Sequence, residues 1–328
     1  MTSAPKFSLA ESHAADDLLA ADMASVERKI HETIRSREPR LIEIALHLIG
    51  AGGKRIRPLV AMSAFRACGG EDPRDMIDLG AALELIHSAT LLHDDIIDAG
   101  EVRRGRASAY LQFGAADTLV TGDFLFSKAF EICGRFEETI VRWASDACIA
   151  LTEGEIMQAR LRRNAAVSVA DYHEIIRRKT ASLFQAGARI AARVAGAERG
   201  LVEELGRCGS SIGMAFQVID DLLDVIGDPA QTGKPVGIDL RDGNPSLPIV
   251  LALPRSPSLA RVWQQLDADE DDIQEGLGEI GQSGVLERVR HEAITYTRNA
   301  AASLASLPDT PYRDFLEALI RDLRARVF

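Results

Sequence analysis

Two short segments of the chain carry the same arrangement of carboxylates, Asp94-Asp95-Ile96-Ile97-Asp98 and Asp220-Asp221-Leu222-Leu223-Asp224. Each lies in an otherwise apolar stretch of helical periodicity, so its first and last Asp, four residues apart, share one helix face about one turn from each other. Two carboxylates so placed repel unless something cationic sits between them. Acidic clusters are usually solvated surface or helix caps. Here, however, Leu91-Leu92-His93 and Phe216-Gln217-Val218-Ile219 bring each cluster to the end of a core-like run, and the repetition asks for a shared explanation. Hard oxygen ligands in this pattern suit Mg2+, which keeps several waters and bridges a few carboxylates to substrate phosphates. Two such clusters can hold several ions around one diphosphate and stabilise it as a leaving group.

Basic residues accompany the acidic ones. Arg103-Arg104-Gly105 follows the first motif, and Gly52-Gly53-Lys54-Arg55-Ile56-Arg57-Pro58 precedes it. Charged loops are usually solvated, but in a chain of net charge -11 basic residues gathered at glycine-rich helix starts form a candidate anion site. Lys179-Thr180 and Gly233-Lys234-Pro235 add two further candidates. The same net charge argues against a nucleic-acid partner, whose binding depends on Lys and Arg neutralising the backbone. A di-iron reading of the Glu84–His87 pair needs a second Glu-x-x-His, and the sequence has none.

The elements that must position these residues read as helices over about 14–36, 40–50, 57–69, 74–99, 113–134, 137–163, 170–196 and 200–226, with shorter ones after 245. Leu85, Ala89, Leu92 and Ile96 show the spacing. No alternating strand of convincing length and no βαβ unit interrupts them. Breaks at Gly50–Gly53, Gly69–Pro73, Gly100–Gly105 and Gly227–Pro235 are too short to be interdomain linkers, so the expectation is one all-α domain over residues 1–328. It divides into an N-terminal helical segment (1–39), a catalytic core (40–250) and C-terminal helices (251–328). The 46% hydrophobic and 27% charged composition fits a globular chain. Cys68, Cys133, Cys148 and Cys208 suggest neither a disulfide framework nor a zinc site, and the N-terminus lacks the basic start of a signal peptide. No apolar run is long enough to span a membrane. A soluble protein in a reduced, cytoplasmic setting is expected.

GGKRIRP, His87 before LLHDDIID, the RRG triplet, RRKTASLF, FQVIDDLLD and GDPAQTGKPVGIDL occur in this order and spacing. Together they resemble the trans-isoprenyl (polyprenyl) diphosphate synthases, from about residue 40 to 250. The resemblance implies a helical bundle around a central cavity and a head-to-tail condensation of isopentenyl diphosphate with an allylic diphosphate, farnesyl or geranylgeranyl. It implies about three Mg2+ ions and a homodimer. By the same resemblance Lys54, Arg57, His87 and Arg104 would hold isopentenyl diphosphate, and Arg103, Lys179 and Lys234 the allylic diphosphate. Asp94, Asp98 and Asp220 would be the main metal ligands, with Asp95, Asp221 and Asp224 supporting them directly or through water. Thr180 and Gln217 would lie beside the carbocation. Many members carry Lys where this chain has Asn244, a departure that bears on affinity and product class.

Terpene cyclases pair DDxxD with a different second motif, rich in Asn, Ser or Thr and Glu. A non-catalytic helical subunit would have eroded motifs, whereas both are intact here. Product length should depend on the helix bearing the first motif. At about 1.5 Å per residue, Ala89 lies roughly 7–8 Å and Ile86 roughly 12 Å from Asp94 toward its N-terminus. Short-chain relatives place an aromatic floor where this chain has Ala89 and Thr90. The expectation is therefore a long-chain product, with Phe126 or Phe130 of the next helix as a deeper plug; the alternative is a short-chain farnesyl or geranylgeranyl diphosphate synthase.

Overall fold

The computed structural model describes residues 13–228 and 236–327. The helices expected up to residue 226 form, with α5 added and with α8 and α9 standing where one helix is expected: α1 His13–Thr33, α2 Pro39–Ile49, α3 Ile56–Ala67, α4 Arg74–Ile97, α5 Ala109–Phe113, α6 Ala115–Cys133, α7 Glu138–Leu161, α8 Val169–Ile176, α9 Ser182–Val194 and α10 Arg199–Ile226. Beyond them lie α11 Ile238–Asp242, α12 Leu247–Ala252, α13 Pro257–Gln264, α14 Glu270–Gln282, α15 Val285–Ser303 and α16 Pro311–Ala325. Among the described residues the fold is all-α apart from one two-stranded ribbon, β1 Val102–Arg103 paired antiparallel with β2 Arg106–Ala107. Two-residue strands are too short to leave an alternation in the sequence.

The chain divides into two compact units. The first comprises Met1–Ala144, Ala186–Gly206 and Ser303–Asp322. Its centre is α4, which packs against α6, α1, α3, α2 and α5. A helix surrounded in this way must be apolar on every side, and Leu79, Ala81, Leu83, Leu85, Ile86, Ala89 and Leu92 are all at most 2% exposed. Small residues bring the neighbours close: a Cβ at Gly80 would lie 3.3 Å from Val26 of α1 and 3.5 Å from Pro58 of α3. The α1–α3 contact is pinned by a buried fork, Arg66 Nε and Nη2 donating to Asp22 at 2.8 and 3.0 Å. α6 runs antiparallel to α4, since Gly122 meets His93 while Arg135, just past the C-terminus of α6, donates to Asp78 near the N-terminus of α4. Phe126 of α6 lies beside His93, their ring centres 5.9 Å apart.

The second unit comprises Ser145–Gln185, Arg207–Ala302 and Leu323–Phe328. Ser168 starts α8 with a capping box: its hydroxyl accepts from Asp171 N–H, and the Asp171 carboxylate accepts from Ser168 N–H. The sequence reads one helix over 170–196, but the structure inserts a π-helical turn, Arg177–Ala181, between α8 and α9. Such bulges concentrate at functional sites, and this one carries Lys179 and Thr180.

Candidate active site

The first motif occupies the last turn of α4, with Asp98 as the C-cap. Aligned peptide dipoles already make that end of a helix negative, so carboxylates there call for positive charge. Asp94 and Asp98 are half-buried, whereas Asp95 is 1% exposed. Arg103 of β1 reaches Asp95 Oδ1 through Nε at 2.8 Å and Nη2 at 2.7 Å, while Oδ2 is buried without a hydrogen-bond partner. Burial raises the Asp95 pKa, and Arg103 opposes the rise.

Beside this turn stand the residues expected to bind isopentenyl diphosphate. The tip of the ribbon places Arg104 and Gly105 at φ 53° and 74°, the two positive values that a type I′ hairpin turn requires. The Arg104 guanidinium rests on Gly53, where a Cβ would lie 2.9 Å from Nη2. Lys54 is exposed and Arg57 half-buried. Desolvation pulls the Arg57 pKa down to about 10, which leaves it charged at neutral pH. His87, about two turns before the motif, is held well below the ordinary histidine range by burial and then by Arg57 and Arg104, so its imidazole is neutral.

In the second unit the other motif ends α10. Asp220 and Asp224 are half-buried and Asp221 is 4% exposed. Asp221 accepts from Gln217 Nε2 at 2.9 Å and from Leu247 N–H at 3.3 Å, and burial pushes its pKa up to about 7. Gln217 Oε1 in turn accepts from the Thr180 hydroxyl at 2.8 Å, so the π turn and the motif share one relay. Lys179 forms an ion pair with Glu155 and donates to Gln158 Oε1 at 2.8 Å. Both Asp224 oxygens accept backbone N–H groups at the start of α11, from Ile238 at 3.1 Å and Asp239 at 3.0 Å.

Asp239 is a residue the sequence reading did not single out. Burial, then repulsion from Asp224, Asp221 and Asp220, raises its pKa well above the ordinary carboxylate range. Its only sequence signal is its place in GIDL. Asn244, where the resemblance implies a Lys in many members, accepts from Arg162 Nε at 3.0 Å, so a guanidinium stands beside this position. Lys234 lies outside the described residues.

Among the described residues no three His, Cys, Asp or Glu side chains converge on one point. The donors fit a different arrangement, in which spaced, half-buried carboxylates contribute one or two oxygens to a hard cation and waters and phosphate oxygens complete its shell.

An all-helical fold with two such carboxylate sets and a cationic glycine-rich loop defines a class that handles diphosphate esters. The chain belongs to the polyprenyl synthetase family, whose model matches residues 38–280. It is 35% identical to the octaprenyl diphosphate synthase of Escherichia coli, over 93% of this chain and 95% of that protein. Its structure superimposes on a decaprenyl diphosphate synthase from Rhodobacter capsulatus with a TM-score of 0.88 at 35% identity, covering 95% and 98% of the two chains. For a polyprenyl synthase from Caulobacter crescentus, complexed with calcium and isoprenyl diphosphate, the TM-score is 0.89 at 37% identity, with 94% and 96% covered.

Two glycines let the π turn fit. A Cβ at Gly154 would lie 2.7 Å from Lys179 N, and one at Gly213 would lie 2.6 Å from Ala181 Cα. Backbone cannot yield as a side chain can. Gly154→Ala should therefore displace Lys179, lower stability by about 1–3 kcal/mol and, with Lys179 holding the allylic diphosphate as the resemblance implies, raise the KM for the allylic substrate more than that for isopentenyl diphosphate. Steady-state kinetics with a melting curve check this, and an unchanged allylic KM would contradict it.

Proposed function

We propose that the chain, with residues 1–328 acting as one functional unit, is a trans-polyprenyl diphosphate synthase that makes a long-chain product by repeated 1'-4 condensation. The observation that carries this reading is the matched construction of the two acidic motifs. In each, the second Asp is buried on protein partners and the outer ones stay half-buried.

In the proposed reaction the C1–O bond of the allylic diphosphate breaks, the electron pair leaving with the diphosphate. The double bond of isopentenyl diphosphate attacks the allylic cation, and a proton is then lost to the released diphosphate, restoring a trans alkene. Asp94, Asp98 and Asp220 would hold Mg2+, about three ions in all, with Asp95, Asp221 and Asp224 acting from behind. Bound Mg2+ supplies positive charge to the departing diphosphate. Arg103, Lys179 and Lys234 add to that charge, and Thr180 and Gln217 present oxygen dipoles to the cation. Lys54, Arg57, neutral His87 and Arg104 would orient isopentenyl diphosphate. A preorganised electrostatic site of this kind needs no nucleophilic side chain.

A homodimer is part of the proposal, supported by Leu119 and Val120, which α6 leaves 48% and 54% exposed. So is a cytoplasmic location; among the described residues no helix is long and apolar enough to cross a membrane. Long products are supported by the octaprenyl and decaprenyl relatives and by the small side chains of Ala89 and Thr90 on α4. Ile86 and Ala89 are fully buried, and Phe126 and Phe130 of the neighbouring α6 are half-buried.

Removing Mg2+ with EDTA should abolish condensation and adding it back should restore it, while Asp94→Ala and Asp220→Ala should each cost about a thousandfold or more in turnover with the fold retained. Full activity in either variant would refute the metal assignment. With farnesyl diphosphate and excess isopentenyl diphosphate, the wild type should yield a product several isoprene units longer than Ala89→Tyr, read by mass analysis. A wild type stopping at geranylgeranyl diphosphate would refute the long-chain reading.

A further inference from the structure

Glu84, the acidic half of the lone Glu-x-x-His pair, has no role in the reaction described above, yet it is one of the most deeply buried charged groups in its unit, at 2% exposure on α4. Its partner is Arg55, whose Nη1 donates to Glu84 Oε1 at 2.9 Å. The other nitrogens of the same guanidinium are also committed. Nε and Nη2 donate to Glu27 of α1 at 2.9 and 3.0 Å, and Nη2 donates to the Ile49 carbonyl at the end of α2 at 3.1 Å. Arg55 therefore ties the glycine-rich loop to α1, α2 and α4 at once.

The backbone of Arg55 is left-handed, with φ 46°. A side chain with a Cβ holds that conformation only where its surroundings over-determine it. Arg55 stands between Lys54 and Arg57, so fixing it fixes the directions in which both neighbours leave the chain. The charge of Glu84 also acts on Arg57 and Arg104. Those two repel each other, and the Arg104 guanidinium lies against Gly53.

A carboxylate inside an anion site weakens its attraction for anions, so its presence asks for a compensating gain. Buried ion pairs contribute little net stability, and in some proteins their role is to fix geometry. We propose that Glu84 is a positioning residue: bonded to Arg55 and set among Arg57, Arg104 and His87, its carboxylate holds the loop and the ribbon tip in diphosphate-binding geometry. It thereby sets the affinity for isopentenyl diphosphate without touching it. The proposal rests on the reading of Lys54, Arg57, His87 and Arg104 as the isopentenyl diphosphate site.

The test measures KM for isopentenyl diphosphate and for farnesyl diphosphate separately in the full-length enzyme with Mg2+. Glu84→Gln should raise the isopentenyl KM by about ten- to a hundredfold, the scale of a small misplacement of binding groups, and leave the farnesyl KM within about twofold of wild type. The double variant Arg55→Met with Glu84→Gln removes both buried charges, so it keeps the fold where the single variant loses it, and its isopentenyl KM should remain raised. A double variant with wild-type KM, in an enzyme where Arg57→Ala raises it, would reduce the pair to a fold contact and overturn the proposal. If Arg57→Ala itself leaves the isopentenyl KM unchanged, the site reading fails and the proposal falls with it.

Discussion

Like charges at the negative end of a helix must be neutralised, and much of this molecule follows from how that is done. α4 and α10 both finish on Asp-Asp-x-x-Asp, where the peptide dipoles have already accumulated negative charge. The protein meets part of the demand itself. Arg103 answers Asp95, Gln217 and the Leu247 amide answer Asp221, and two amides of α11 answer Asp224. The outer carboxylates stay half-buried, and under the proposed function they would face a metal–diphosphate complex. On this account the second Asp of each motif is a support that fixes the helix end, and the first Asp is a working ligand.

The same logic of supports behind working groups recurs in the cationic residues. Lys179 and Thr180 are presented by a π turn that fits only because Gly154 and Gly213 lack side chains. Arg104 is presented by a hairpin turn at positive φ and lies against Gly53. Each of these side chains, to which the proposed function gives a role, thus depends on a glycine outside the motifs.

The extent to which the sequence announced this depends on the interaction. An i, i+4 carboxylate pair is legible because helix geometry alone determines which residues share a face, and the long helices α1–α4, α6, α7 and α10 are legible because their apolar spacing is regular, whereas the five-residue α5 and the break between α8 and α9 are not. The ribbon at Val102–Ala107 was not, since two residues per strand carry no periodicity, and the π turn was not, since it alters hydrogen bonding without altering composition. The inward turn of Asp95 and Asp221, the acidic neighbour Asp239 and the Arg162–Asn244 contact, which spans 82 positions, arise from tertiary packing. Glu84 shows the limit most clearly. Its spacing to His87 suggests a shared metal, whereas the fold spends the carboxylate on Arg55, a partner 29 residues away.

The most direct test of the division between working and supporting carboxylates is a crystal structure of the chain with Mn2+ and a non-ionisable allylic thiolodiphosphate, the metals located by anomalous scattering. The account predicts peaks at about 2.1–2.3 Å from carboxylate oxygens of Asp94, Asp98 and Asp220, with Asp95 still on Arg103 and Asp221 still on Gln217. Direct coordination by Asp95 or Asp221, with Arg103 or Gln217 displaced, would contradict it.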